Sequence, residues 1–372
     1  MSRALAILLI AAASLAGQKK TPTKKPARPP EPPGTTKLAD HLVWENSYRK
    51  QMSNPDVDSA VVDPKGVLWL SVAGRIIQVA PDGRFLGMTE LVGKGLADAP
   101  ENMEPPEDKL AVTPDGTVGL ITTYFSAAPG FHPIGVQFGR IQADRSAAGF
   151  TQIAGPDHWV YAVTGLSDNR FLTASRTDHV SIQRFDAAAK TEWERETGDE
   201  PDTISVAPLA GGGSCVASSH NWKIVLLMLD ADGKEQHRAS VTGVYHGLVP
   251  GPDGGCVLLH DAHKVEKEEC YLTSFNARLN QNWTSPVRFH TMLDPMFGIA
   301  VVKDGYIVKG TADRFAGHRL FLAKYDFKGQ LQWTIFDDAR SPARFVLPVD
   351  DGFYLVGAEP HSAYGLYVIR GK

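Results

Sequence analysis

Long apolar runs are missing from almost all of this 372-residue chain. The longest, residues 5–13, falls well short of the roughly 20 residues that a membrane-spanning helix needs. A basic excess is also missing. Lys and Arg number 38 against 42 Asp and Glu, a net charge of −4, so the chain has no electrostatic footprint for nucleic acid. Cysteines are scarce: only Cys215, Cys256 and Cys270 occur, with no Cys-x-x-Cys pair and no zinc-ligand spacing. Helical periodicity is absent, which argues against α/β architectures. Gly-x-Ser-x-Gly, phosphate-loop and His-Glu-x-x-His signatures are absent as well.

The first residues read as a secretory signal. Arg3 supplies the positive charge, Leu5 to Ala13 the apolar stretch, and Ser14-Leu15-Ala16 the small residues before a cleavage point. Residues 1–16 are therefore expected to be a signal peptide, and the mature protein secreted or periplasmic. No Cys follows the small residues, so a lipoprotein anchor is not available. Residues 17–40 are rich in Lys and Pro and read as a flexible linker, because they hold too little apolar surface to build a core. In an exported chain an odd cysteine count leaves one thiol free. Cys256 and Cys270 fall on neighbouring strands of one predicted hairpin, which gives them the means to pair.

What the chain does have is glycine and proline, 35 and 25 residues, arranged in a repeat. Turns end at residues 66, 116, 169, 212, 254, 305 and 352, as in Asp63-Pro64-Lys65-Gly66 and Gly251-Pro252-Asp253-Gly254. The spacing matches one four-stranded propeller blade. Each turn precedes a β-branched or aromatic strand such as VLWLSV, CVLLHD or FYLVGA. A second strand follows, and often a third with a Trp: Trp193, Trp283 and Trp333. The seventh repeat stops at Lys372 without its last strand. LVWENS near the N-terminus, with Trp44, matches the missing piece. The expected fold is all-β: a seven-bladed β-propeller over residues 41–372, with four-stranded antiparallel blades and residues 41–47 closing the last one. Residues 91–109, with Pro100, Pro105 and Pro106, read as a long insertion, either a lid or a mobile loop.

The first repeat, VDPKGVLWLSVAGRIIQVAPDGRF, resembles those of virginiamycin B lyase-like and gluconolactonase-like propellers. Later ones, such as LFLAKYDFKGQLQWTIF, are similar to quinoprotein-like repeats of bacterial propellers. The lyase resemblance implies chemistry at one end of the propeller, from His and Glu, but no residue here maps onto those one by one. The quinoprotein Thr-Gly and its adjacent Cys pair are missing from RFDAAAKTEWE and KYDFKGQLQW, so a quinone cofactor is not expected.

The histidines supply the site candidates. His179, His220, His263, His318 and His361 fall in or beside loops joining the second and third strands of their blades. His158, His246 and His290 fall in or beside connections between blades. All eight therefore belong to one predicted end, with Asp178, Asp261, Asp313 and Arg340 among the charges beside them. A ring of imidazoles there would hold a divalent metal or grip an anion. The alternative is a set of unrelated polar loop residues. The leading expectation is a binding or scaffold propeller whose partner is a polar small molecule, a polysaccharide or an envelope protein. A metal-dependent lyase or hydrolase with a His-rich site is the alternative.

Overall fold

The computed structural model describes residues 34–48, 57–91, 103–126, 132–262, 269–287, 298–312, 319–340, 343–358 and 366–372. They form seven sheets, each built on four antiparallel strands. Blades 1 to 6 comprise residues 57–90, 103–154, 159–196, 203–242, 244–287 and 298–337, and blade 7 comprises residues 345–371 with Leu42–Ser47. The four strands of each blade are called A to D in chain order, with Leu42–Ser47 as strand D of blade 7. The seven A strands touch one another in a closed ring, so they are innermost and surround the channel.

The core is divided accordingly. Seven apolar clusters each lie between two neighbouring blades, such as Leu68, Leu70, Val356 and Val368 between blades 1 and 7. Residues alternate sides along a strand, so both faces of a blade are buried against neighbours. This explains B strands that are apolar almost throughout, as in Leu68–Val72. Among the described residues no helix is long and apolar enough to cross a membrane.

Closure follows the sequence expectation. Leu42–Ser47 pairs antiparallel with Leu366–Gly371. The missing turn between strands C and D of blade 7 is replaced by a hydrogen bond across the two chain segments, Lys372 N–H to His41 O at 2.9 Å. The repeated Trp has a shared task. Trp44 and Trp193 donate from Nε1 to Pro81 O and Ala231 O, at 2.8 and 2.9 Å, in the next blade's C–D turn. The rings of Trp44, Trp193 and Trp283 lie over Gly83, Gly233 and Gly329, where a Cβ would sit within 2.9 Å of the ring. All three glycines have positive φ, so the turn needs glycine twice over. Trp333 packs instead on His41, ring centroids 4.4 Å apart.

Three expectations need correction. Ordered structure begins before residue 41: Thr35–Thr36 adds a short parallel strand outside blade 6, and Leu38 is buried between blades 6 and 7. Residues 91–109 are not all loop. Met103–Val112 is strand A of blade 2, and residues 92–102 lie outside the described residues. Pro105 and Pro106 read as strand breakers, but the ladder shifts register between Glu104 and Glu107, so an irregularity takes the two prolines out of the regular pairing. Last, Cys256 and Cys270 are not opposed. Cys256 pairs with Phe275, and Cys270 with Asp261, an offset of five residues, or roughly 17 Å of strand. The thiol facing Cys256 is Cys215, from the neighbouring blade, with sulfurs 2.7 Å apart.

Candidate functional site

Charged residues on an innermost strand are the first thing to explain, because the fold does not need them there. Strand A of blade 2 carries Glu107, Asp108 and Lys109 in succession. Lys109 keeps 24% of its side chain exposed and Glu107 keeps 41%. On an A strand that exposure is to the channel. Lys109 Nζ lies 3.8 Å from Glu107 Oε2, and the same oxygen accepts from Trp159 Nε1 of blade 3 at 3.0 Å. Burial holds the Lys109 ammonium below the usual lysine range. Arg344 adds to this, while Glu107, Asp58 and Asp108 oppose it. Asp58 in blade 1 caps its own B–C turn by accepting from Ala73 N–H at 3.0 Å. Lys309 comes from strand B of blade 6, and its stem lies over Gly298 of strand A, where a Cβ would meet Cε at 2.9 Å. Charges from blades 1, 2 and 7 thus act on Lys109, while Lys309 of blade 6 is buried.

Asp108 points the other way, between blades 1 and 2. It accepts from Thr122 Oγ1 at 2.8 Å and from Ser71 Oγ at 3.3 Å. Burial raises its carboxyl from 3.8 to about 6, with Asp58 adding to the rise. The folded state therefore binds this proton more tightly than the unfolded state does. Its contribution to stability is fully present below about pH 4 and lost as pH rises through 6, about 3 kcal/mol in all. Asp108→Asn keeps an acceptor for Thr122 and cannot ionise. The variant is expected to melt above the wild type near pH 7.5, with the gap closing near pH 4. Equal gaps at both pH values in thermal melts would refute a titrating Asp108.

The expected histidine ring is not assembled from the described members. His158 Nδ1 lies 3.2 Å from Ser175 Oγ. Asp178 and His179 are exposed in a B–C turn, where the His179 N–H donates to Thr177 Oγ1. His220 Nδ1 is 3.1 Å from Asp202 Oδ2, with Glu200 at 3.8 Å. His246 is the extra residue of an irregularity between Tyr245 and Gly247, which turns its ring onto Asp261, Nε2 to Oδ2 at 2.8 Å. Arg340 is held by both oxygens of Glu45 and by Asp337, so it braces blade 7's closing strand. His263, His290, His318, His361 and Asp313 lie outside the described residues. Among the described residues no group of three or more His, Cys, Asp or Glu is placed to hold a metal ion.

The opposite end of the channel opens into a cavity of about 410 Å³ at the A–B turns. Val62, Val112, Val302 and Val349 form much of its wall, with Asp63, Lys303 and Asp350 at the rim. Asp63 is committed to its own turn, accepting from the Lys65 and Val67 N–H groups and from Trp69 Nε1. Asp63 at this end thus serves its own turn, whereas Lys109 and Glu107 lie on an inner strand.

No family model and no curated protein matches the sequence. Solved structures do. The WD40 repeats of RRP9 align over 88% of this chain and 97% of that one, with TM-score 0.59 and 11% identity. A catalytically inactive variant of virginiamycin B lyase from Staphylococcus aureus, solved with quinupristin, aligns over 88% and 99%, with TM-score 0.57 and 13% identity. A streptogramin B lyase structure aligns over 91% and 100%, with TM-score 0.56 and 11% identity. The likeness is one of fold. A WD40 repeat domain and a lyase share this scaffold equally well, so the activity has to be read from the chain's own residues.

Proposed function

We propose that the protein is an exported binding propeller that takes a small organic anion at the Lys109 end of its channel. The observation that carries this is Lys109 on an inner strand, partly exposed and with its ammonium held down by burial, with the Arg344 charge of blade 7 acting on it. Cations in a narrow, partly desolvated channel attract an anion more strongly than surface lysines do. Glu107 and Asp58 offset the charge of Lys109 and offer acceptors for a ligand's hydroxyl or amino groups. A carboxylate or phosphate that also carries hydroxyls fits this mixture. Export rests on the pattern of residues 1–16.

A thermal-shift titration with small dicarboxylates, sugar acids and sugar phosphates tests the reading. At least one member is expected to raise the melting temperature in step with the logarithm of its concentration above Kd, with about 2.7 kcal/mol of stabilisation at a hundred times Kd. Lys109→Met should abolish the shift, because it keeps the stem and removes the charge. Lys303→Met, at the opposite mouth, should leave it. A panel with no effect, or a shift that survives Lys109→Met, refutes the site.

A further inference from the structure

Cys215 and Cys256 stand in equivalent surroundings of the repeat, each near the start of strand B, in blades 4 and 5. Both are fully buried, in the cluster that includes Ala207, Met228, Leu248 and Phe275. Their sulfurs are 2.7 Å apart, closer than two thiols settle when merely packed, and about 0.7 Å from the bonded separation. No other described cysteine competes, because Cys270 lies five positions along the neighbouring strand from Cys256. We propose that Cys215 and Cys256 form a disulfide that staples blade 4 to blade 5.

The oxidant is an external disulfide, either of a small thiol such as glutathione or of a thiol oxidoreductase. The thiolate of one cysteine attacks it, forms a mixed disulfide and expels one thiol. The second cysteine attacks the mixed disulfide, joins the two chain sulfurs and expels the other thiol. Two chain thiols are oxidised and one external disulfide is reduced to two thiols. The protons of the chain thiols end on the expelled ones. Burial pushes the Cys215 thiol up, and the neighbouring Cys256 adds to this, so the folded protein offers little thiolate and no access. The bond therefore forms before the two blades close on each other, and it resists reductant afterwards. An exported chain would meet such an oxidant while folding.

The test is a thiol count on the full chain, refolded from denaturant in a glutathione redox buffer and then unfolded without reductant. The expected result is one free thiol, a mass lighter by two hydrogens, and a cross-linked peptide pair containing Cys215 and Cys256. Cys270→Ser should leave no free thiol, and Cys215→Ser should leave two. Three free thiols in the wild type overturn the proposal, as does a cross-link that includes Cys270. If a serine variant fails to fold, the wild-type count and peptide map still decide.

Discussion

A chain that starts at residue 49 is expected to aggregate and to show no cooperative unfolding, while one that starts at Gly34 melts like the full-length protein. Removing Leu42–Ser47 strips the outer edge from Leu366–Gly371 and leaves an apolar strand as a template for other chains. The same truncation removes Trp44 and Tyr48 from the cluster between blades 7 and 1. Tyr48 is buried, and its hydroxyl donates to Gly83 O at 2.6 Å. Loss of two such rings costs about 3–5 kcal/mol each, which approaches or exceeds the whole stability of a typical domain. A chain starting at residue 42 separates the effects. It loses Thr35–Thr36 and the burial of Leu38, so a milder loss of about 1.5–3 kcal/mol is expected. Circular dichroism melts of the three chains check this, and a residue-49 chain that melts like the full protein would defeat it.

Arg184→Met is expected to cost about 3 kcal/mol or somewhat more. The Arg184 side chain is only 9% exposed. It donates to Asp168 Oδ2 at 2.5 Å, to Glu192 Oε2 at 2.8 Å, and to the carbonyls of Gly212 and Ala231 at 3.3 and 2.8 Å. The last two belong to blade 4, so one guanidinium clamps two blades. Deleting it leaves buried acceptors without a donor, which costs more than the bonds contribute. Asp168 and Glu192 reach solvent, which keeps the figure at the low end. Arg184→Lys should recover only part of the loss, because an ammonium cannot span the fork. A denaturant midpoint for Arg184→Met within error of the wild type would contradict the clamp. Lys324 with Asp304, and Arg370 with Asp351, repeat the pairing of a C-strand cation with an A–B-turn acid in blades 6 and 7.

Blade count, strand order and closure were legible because each rests on local chemistry repeated seven times. Asp-Gly and Pro-Asp-Gly turns demand their residues, and the Trp of LVWENS matched three others. The proposed site was not legible, for two reasons. Glu107, Asp108 and Lys109 sat in a segment whose prolines and acids looked like a loop, and only the shifted register of Met103–Val112 makes it an inner strand. The described histidines differ in the direction their rings take. His246 turns to Asp261, His158 to Ser175 and His220 to Asp202. Position along a strand says which end a residue is at, but not which way its side chain points across the channel.

The sequence by itself determined the architecture: all-β, seven blades and residues 41–47 as the closing strand. Turn stereochemistry and strand alternation act between residues a few positions apart, so they are written in order along the chain. The tertiary structure alone decided that Cys215 rather than Cys270 meets Cys256, that Arg340 is tied to Glu45, and that Arg344 and Asp58 act on Lys109. Each of these joins residues from different blades or distant segments of the chain. Their meeting depends on how far the ring of sheets rotates from one blade to the next, a quantity that no local run of residues encodes.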